Sequence, residues 1–331
     1  NASIFQPPVD ASGPFGYLAE KASTNLALQS EAIGTWIGIG GVDGQTNSLT
    51  GASNASLLTE TNTADIQRNY RTVTATTNCT LSCYAKAGTR NFVTLSGVVG
   101  GSDFAAAAFD LSAGTAQTAQ ENGTVTGQSN IESVGGGWYR CSLSLQSSSG
   151  AISQIKVGLS NTATPTFGGW GDLYYTGNGS TAYFFGAQLE LGTYPTSYIP
   201  TTTTAVTRNA DVLIAGDMVT DAAGSAYAEA SSIWATSISE AFLLVRGNLG
   251  RTLYSTSPTF IKAFDGTQVS TSPIGTSYQN APQSLASTWG NNLTSYFNGI
   301  PDASPAAYDG TMGAGNLGIG NRNDGANLWN G

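Results

Sequence analysis

Apolar and polar residues alternate along much of this chain, with the two-residue period of half-buried β-strands. The alternation is clearest at residues 70–75, 81–85, 138–145 and 152–159. Helical periodicity is almost absent, and the Ala-rich stretch at 102–113 is the one candidate helix. The pattern therefore predicts an all-β protein.

Turn-forming residues interrupt the alternation at short intervals. The pairs are Gly40-Gly41, Asp43-Gly44, Gly100-Gly101, Asn122-Gly123, Gly168-Gly169 and Asn178-Gly179, together with the triplet Gly135-Gly136-Gly137. Such turns join short antiparallel strands in β-sandwiches and jelly rolls, whereas parallel strands need long crossover connections. No repeat of fixed period is evident, which argues against a solenoid or a propeller.

The length of 331 residues predicts two domains. A proline-marked stretch with Tyr194-Pro195 and Ile199-Pro200 separates two regions of β pattern, and residues before proline favour extended backbone. We expect two consecutive antiparallel β-sandwich (jelly-roll) domains. The predicted divisions are an extended N-terminal segment at 1–14, a jelly roll at 15–192, a strand-poor connector at 193–211 and a second sandwich at 212–331.

The second region contains its own strand-like segments. They lie at 225–235, 240–246, 259–264, 284–289 and 293–298. The pair Asn298-Gly299 follows the last of them, and both residue types tolerate the positive φ angles of a type I′ turn. The sequence therefore predicts a tight β-hairpin at this position.

The composition limits the classes of partner. Only 10% of residues are charged, against a usual ~25%, while 40% are apolar, enough to bury two cores. The net charge of −9 and the lack of any basic run argue against nucleic acid. No apolar stretch reaches the length of a membrane span, so we expect no membrane insertion. The chain begins at Asn1 without a signal-like segment, which suggests a processed or partial product.

The chain contains no histidine. Histidine is the usual general base near neutral pH and the commonest metal ligand, so Ser-His-Asp and Cys-His catalysis and ordinary zinc catalysis are excluded. Catalysis by paired carboxylates, as in glycoside hydrolysis, stays open at this point.

Three cysteines, Cys79, Cys83 and Cys141, are too few for a disulfide scaffold. On one extended strand Cys79 and Cys83 would lie about 13 Å apart, too far for a bridge. We interpret all three as small buried residues, and the alternative is a bridge from Cys141 to one of the others.

Several ordered segments resemble a known module. They are Tyr17-Leu18-Ala19-Glu20-Lys21-Ala22, Thr24-Asn25-Leu26, Ser30-Glu31, Cys83-Tyr84-Ala85-Lys86-Ala87-Gly88, Gly137-Trp138-Tyr139-Arg140, Phe185-Gly186-Ala187-Gln188-Leu189-Glu190, Thr196-Ser197-Tyr198-Ile199-Pro200-Thr201, Val206-Thr207-Arg208 and Ala210-Asp211. Together they resemble a carbohydrate-binding-module-like jelly roll common in bacteriophage virion proteins. The resemblance covers about residues 15–211 and implies a particle-surface protein, with three copies around an axis.

The second region carries a less specific resemblance. Its residues are Leu285-Ala286-Ser287-Thr288-Trp289, Leu293-Thr294-Ser295-Tyr296-Phe297-Asn298-Gly299 and Leu317-Gly318-Ile319-Gly320-Asn321-Arg322, which are similar to concanavalin A-like (laminin G-like) sandwiches. The sequence stops at Trp329-Asn330-Gly331, where that family implies one more strand. Sugar-cleaving relatives carry a Glu-x-Asp-x-x-Glu strand, and this spacing is absent here. We therefore expect no enzymatic activity and no catalytic residues.

A Gly-rich stretch contains the candidate glycan-binding residues Trp170, Asp172, Tyr174 and Tyr175. A flat aromatic ring can stack on the apolar face of a pyranose while a carboxylate accepts bonds from sugar hydroxyls. The alternative, which the pattern favours, is a loop that packs its aromatics on the sandwich. Other aromatics, including Trp138 and Trp289, are expected in the cores.

Loop aspartates are candidate ligands for a structural Ca²⁺, because calcium prefers hard oxygen donors. In the first domain they are Asp43, Asp103, Asp110 and Asp172, and in the second Asp302, Asp309 and Asp324. None has the spacing of an EF-hand, so the ligands of a metal stay undetermined. We expect no other cofactor.

These observations predict a non-catalytic appendage of a bacteriophage virion: a fibre, spike or decoration protein on the particle surface. Its expected partners are other copies of itself as a trimer, other virion proteins and host-surface polysaccharide. Two alternatives stay open. One is a secreted bacterial carbohydrate-binding protein, and the other is a non-catalytic fragment of a glycan-cleaving tailspike.

Overall fold

The computed structural model describes residues 20–47, 49–75, 77–100, 102–211, 213–215, 223–230, 241–246, 250–257, 260–264, 269–273, 283–310 and 317–319. These residues form two compact units, Ser23–Arg208 and, together with residues 20–22, the part from Asn209 onward. The boundary thus falls inside the segment 193–211 that we expected as a connector. The predicted N-terminal segment 1–14 and the chain end at 320–331, where we expected a missing strand, lie outside the described residues.

The first unit consists of short strands and two single 3-10 turns. The strands are β1 Ser23–Asn25, β2 Ile37–Gly38, β3 Val42–Gln45, β4 Ala55–Thr59, β5 Ala64–Ile66, β6 Arg68–Ala75, β7 Asn78–Ala87, β8 Phe92–Val99, β9 Phe104–Asp110, β10 Thr115–Ala116, β11 Gln120–Asn122, β12 Val125–Gly135, β13 Trp138–Ser147, β14 Ile152–Ser160, β15 Tyr174–Thr176, β16 Thr181–Leu191 and β17 Val206–Arg208, and the turns are Ile33–Thr35 and Gly169–Gly171. The four strands predicted from alternation are confirmed as β6, β7, β13 and β14.

The strands of the first unit form two antiparallel layers. The front layer has the order β2-β6-β14-β8-β9, and the back layer has the order β12-β13-β7-β16-β4-β3. Strand β11 pairs with both β9 and β12, so hydrogen bonding continues from one layer to the other. Strands β7 and β13 of the back layer lie against β8 and β9 of the front layer. This arrangement is the sandwich that the alternation predicted.

The core lies between the two layers and is filled by alternate residues of the long strands. Ile155, Val157 and Leu159 of β14 point into it, because successive side chains of a strand point to opposite faces. Leu143 and Leu145 of β13 meet them from the other layer. Burying one such side chain contributes roughly 1.5–3 kcal/mol, so this core dominates the stability of the unit.

The prediction of a helix at 102–113 is wrong, because the centre of this stretch forms strand β9. Ala105, Ala107 and Phe109 enter the main core, while Phe104 and Ala106 are buried in a separate cluster on the other face of the sheet. A strand covered on both faces loses the alternation of polar residues, and small residues suit the limited space. Because both of its faces are buried, strand β9 has an Ala-rich composition that is more typical of a helix.

The cysteines are free and buried, as we interpreted them, and no bridge from Cys141 forms. Cys83 and Cys141 are register partners on β7 and β13 and both point into the core. Burial raises the pKa of the Cys79 and Cys83 thiols to about 12. They therefore act as small apolar core residues at neutral pH.

Most of the expected connector packs on the back layer of the first unit. Buried Glu190 accepts hydrogen bonds from Ser23 Oγ at 2.5 Å and from the amide of Thr196 at 2.9 Å. The Tyr198 ring lies edge-on to Phe185 with centroids 5.2 Å apart, and β17 pairs with β1. Proline removes backbone donors but does not prevent these contacts, so the segment is part of the sandwich rather than a free linker.

The second unit also has two antiparallel sheets. Its strands are β18 Leu213–Ala215, β19 Gly224–Ala230, β20 Ala241–Arg246, β21 Gly250–Ser257, β22 Phe260–Phe264, β23 Val269–Pro273, β24 Gln283–Trp289, β25 Asn292–Phe297, β26 Ile300–Pro301, β27 Ala306–Ala307 and β28 Leu317–Ile319. One sheet has the order β18-β28-β20-β21-β22-β23, and the other has β19-β24-β25-β26 with β27 also on β25. Trp289, Leu293 and Ala263 form its described core, as expected for Trp289.

The predicted hairpin is confirmed at Asn298 and Gly299. Their φ angles are 49° and 79°, and Phe297 pairs with Ile300 across the turn. These positive angles at both central residues are those of a type I′ turn. Within the part of the chain that the structure describes, no helix has the length and apolar character needed to cross a membrane.

Candidate functional site

Residues 165–173 form a loop across the outer face of the front layer. Phe167 of this loop is buried against Phe104, Ala106 and Val98, with Leu173 packed at the side. The outer face of an antiparallel sheet is commonly exposed to solvent. A loop that covers this face shields apolar residues there from water. The loop is therefore a fixed part of the front layer and carries two of the four predicted site residues, Trp170 and Asp172.

The loop turns sharply at Trp170 and Gly171, whose φ angles are 67° and 63°. A side chain at Gly171 would meet Ser96 Oγ at 2.4 Å and the Phe104 ring at 3.0 Å, so glycine is required there. Left-handed backbone costs a bulky residue roughly 1–2 kcal/mol. Trp170 nevertheless occupies it and keeps its side chain outside, with 45% of the residue exposed.

The turn at Trp170 and Gly171 is held in place by a buried lysine on the underlying sheet. Lys156 of β14 is 2% exposed, and its ammonium donates to the carbonyl oxygen of Trp170 at 2.6 Å and to Asp172 Oδ1 at 2.7 Å. Burial lowers the pKa of Lys156 because it penalises the charged form, and the bond to Asp172 offsets part of this effect. Asp172 is therefore an anchor of the loop rather than a carboxylate free to bind a sugar.

Arg68 of β6 completes the charged group. Its Nε donates to the same Asp172 Oδ1 at 3.0 Å, and its guanidinium lies over the Tyr70 ring at 4.4 Å from the centroid. Gly158, on the adjacent strand, leaves room for it, because a Cβ there would lie 2.8 Å from Arg68 Cβ. Two cations thus share one carboxylate.

The two tyrosines of the predicted site have different roles. Strand β15 pairs with β5 through Tyr174↔Ile66, and Tyr174 is 67% exposed. Tyr175, the next residue, donates from its hydroxyl to buried Glu60 at 2.5 Å. Consecutive strand residues point to opposite sides, which explains why one ring is presented to solvent and the other is half-buried.

Glu60 is the anchor for the chain after β15. Arg90 binds both of its oxygens, at 2.6 and 2.8 Å, and the Asn178 amide donates to it at 3.0 Å. Burial alone would raise the pKa of Glu60, but the hydrogen bonds from Arg90, Tyr175 and Asn178 lower it below its usual value. The carboxylate is therefore ionised and fully engaged, which suits a structural role.

The structure thus separates the four predicted residues. Trp170 and Tyr174 are exposed, and neither the Trp170 indole N–H nor the Tyr174 hydroxyl bonds to another described residue. Asp172 and Tyr175 are held by Lys156, Arg68 and Glu60. Sequence analysis missed these last three, and the available signal was the lysine inside the strand at 152–159.

The candidate calcium ligands that the structure describes do not form a common site. No group of three or more acidic or cysteine side chains suited to a metal occurs in the described part of the chain. Asp43, Asp103 and Asp110 each accept hydrogen bonds from nearby amides or hydroxyls instead. Asp302 accepts from Ser270 Oγ at 2.8 Å, and Asp324 lies outside the described residues.

The described residues define an all-β protein of two antiparallel sandwich units. No protein-family model matches the chain, and no curated protein matches it. Among solved structures, domains LG4-5 of the mouse laminin alpha1 chain align over 96% of this chain and 84% of that chain, with 9% sequence identity and a TM-score of 0.24.

Proposed function

We propose that the chain is a non-catalytic appendage on the surface of a bacteriophage particle and contacts host-surface glycan through Trp170 and Tyr174. Its partners are other copies of itself, as a trimer, and neighbouring virion proteins. The observation that carries the glycan contact is the pair of exposed aromatic residues, Trp170 on the anchored loop and Tyr174 in the strand that follows it.

The virion assignment is supported by where the resembling segments lie. Strands β7, β13 and β16, which carry three of these segments, are neighbours in the back layer. The segment at 196–201 covers them, and Tyr198 contacts Phe185, Tyr84 and Ser30. Because the segments pack on one another, the resemblance concerns one structural unit rather than scattered short matches.

The glycan contact is supported by exposure and preorganisation. Aromatic residues normally bury their rings, since one ring removes 150–250 Å² from water. Here the backbone of Trp170 is in the left-handed region and its carbonyl accepts a hydrogen bond from Lys156, so the backbone that carries the ring is held in place before any ligand arrives. A loop that is already ordered loses less conformational entropy when it binds a ligand.

An array of bacterial surface polysaccharides tests the glycan contact. We expect Trp170→Ala and Tyr174→Ala each to weaken binding at least about tenfold, the effect of losing roughly 1.4 kcal/mol of stacking. Tyr227→Ala is the matched control, because Tyr227 is 62% exposed, close to the 67% of Tyr174, but lies in the second unit. Equal binding by all three variants and the unmodified chain would contradict the proposal.

The assembly and location need separate measurements. Light scattering is expected to give the mass of a trimer at micromolar concentration, and the mass of a monomer would contradict the proposed trimer.

The location is tested on purified phage particles, which antibodies against the chain should label in electron microscopy. Trp170-dependent binding without particle labelling would instead favour the secreted carbohydrate-binding protein.

The absence of catalysis is tested by incubating the chain with a polysaccharide that it binds. No new reducing ends should appear, and their release would overturn the non-enzymatic assignment.

A further inference from the structure

The charged group beneath the aromatic loop has an excess of positive charge. Arg68 and Lys156 share the single carboxylate of Asp172, through the same oxygen. These three side chains therefore carry one net positive charge, in a chain whose formal net charge is −9. Acidic residues farther away than the Debye length, about 8 Å at physiological salt, are largely screened, so a ligand at this group responds mainly to nearby charges.

Arg68 has unused donors. Its Nε binds Asp172, but neither of its terminal nitrogens donates to another described residue, and its side chain is 20% exposed. The Tyr70 ring supports one face of the guanidinium, and Asp172 fixes its rotation. A guanidinium held in this way presents a planar fork of N–H groups, which matches the two oxygens of a carboxylate or a phosphate.

The guanidinium of Arg68 lies beside the turn that carries Trp170. Lys156 bonds to both Trp170 and Asp172, and Asp172 bonds to Arg68, so the Trp170 turn and the guanidinium share one anchor. Tyr174 follows two residues after Asp172, in the strand beside β5. A sugar stacked on the aromatic rings would therefore bring a ring substituent toward Arg68.

We propose that this surface binds an anionic sugar polymer, with the rings of Trp170 and Tyr174 stacking on the sugar and Arg68 pairing with its carboxylate or phosphate. This inference rests on the proposed glycan contact and names the class of ligand. Asp65, which pairs in register with Tyr175, adds an acidic group on the strand beside β15 and disfavours a second anionic substituent there.

Calorimetric titration of the full chain with three probes tests the inference: alginate oligosaccharides, a glycerol-phosphate teichoic acid and neutral dextran oligosaccharides. We expect one of the two anionic probes to bind, and to bind more weakly as salt rises. Arg68→Gln should reduce its affinity at least about tenfold, because a charge-assisted bond is lost, and Arg68→Lys should give an intermediate value. Trp170→Ala should weaken the same probe.

Arg71→Gln is the matched control, since it removes the same charge from the same strand but on the opposite face, and it should bind like the unmodified chain. Unfolding temperatures of the Arg68 variants show whether a loss reflects misfolding. Binding of dextran that needs Trp170 but not Arg68 would overturn the anionic inference and leave the glycan contact intact. Failure of Trp170→Ala to weaken any probe would overturn both.

Discussion

Replacing Asp172 by asparagine isolates the electrostatic part of the loop anchor. The amide keeps the shape of the carboxylate and can still accept a hydrogen bond, but it removes the one negative charge between Lys156 and Arg68. Lys156 is 2% exposed and would then have only uncharged acceptors, the Trp170 carbonyl and the asparagine amide oxygen. Breaking a buried pair in this way costs about 3–5 kcal/mol. We expect about 3 kcal/mol, because Asp172 is partly exposed and the amide oxygen remains.

Replacing the lysine should be far less costly. In Lys156→Met the buried charge is gone, and Asp172 still pairs with Arg68 at 3.0 Å. The principal loss is the donor to the Trp170 carbonyl, about 1 kcal/mol. The double variant Asp172→Asn/Lys156→Met should be more stable than the sum of the two single effects predicts, by about 2 kcal/mol, because the stranded cation no longer exists.

Urea unfolding at neutral pH measures these differences, since guanidinium is a salt and would screen the charges. Two units need not unfold together, so hydrogen exchange of peptides from β8 and β14 reports the first unit alone. Equal destabilisation by Asp172→Asn and Lys156→Met, or strict additivity in the double variant, would refute the assignment of Asp172 as the counter-charge of a desolvated lysine.

Three further predictions concern glycines and thiols. Gly158→Ala should destabilise the first unit by about 1–3 kcal/mol in urea unfolding, because its Cβ would lie 2.8 Å from a main-chain oxygen, while Gly169→Ala, with nothing within 4 Å, should be near neutral. Gly299→Ala should cost about 1 kcal/mol through its φ of 79°, and an unchanged midpoint would contradict a type I′ turn. Because burial raises the pKa of Cys79 and Cys83 to about 12, above the ordinary 9.0, their contribution is complete below pH 9.0 and is lost as pH rises toward 12. Thermal unfolding across that range should show a shallower decline when both are replaced by alanine.

Local patterns in the sequence were sufficient for much of the fold. The period of two located β6, β7, β13 and β14, because each has one face in a core and the other near solvent or polar groups. The Asn298-Gly299 hairpin followed from the φ angles that these residues tolerate. Such features depend on a few neighbouring residues, so no tertiary information was needed.

Features that depend on distant partners were not predictable. The Ala-rich strand β9 lost its alternation because a loop more than fifty residues later covers its outer face. The segment at 193–201 resembled a linker in composition, yet Glu190 and the ring of Phe185 hold it on the back layer. In both cases a segment distant in sequence determines whether these residues are buried. Their own sequence does not indicate which segment covers them.

The four residues of the candidate site show the same difference between local features and features that depend on distant partners. Residue type identified Trp170, Asp172, Tyr174 and Tyr175 as a group, but their roles depend on what lies beneath them. A desolvated Lys156 requires a carboxylate, which commits Asp172 to the loop, and strand alternation turns Tyr175 toward Glu60. The two remaining aromatics are exposed, and the left-handed backbone at Trp170 would be less costly for glycine. A strained, exposed tryptophan contributes little to folding, and this is the reason for the proposal that its aromatic face contacts a ligand.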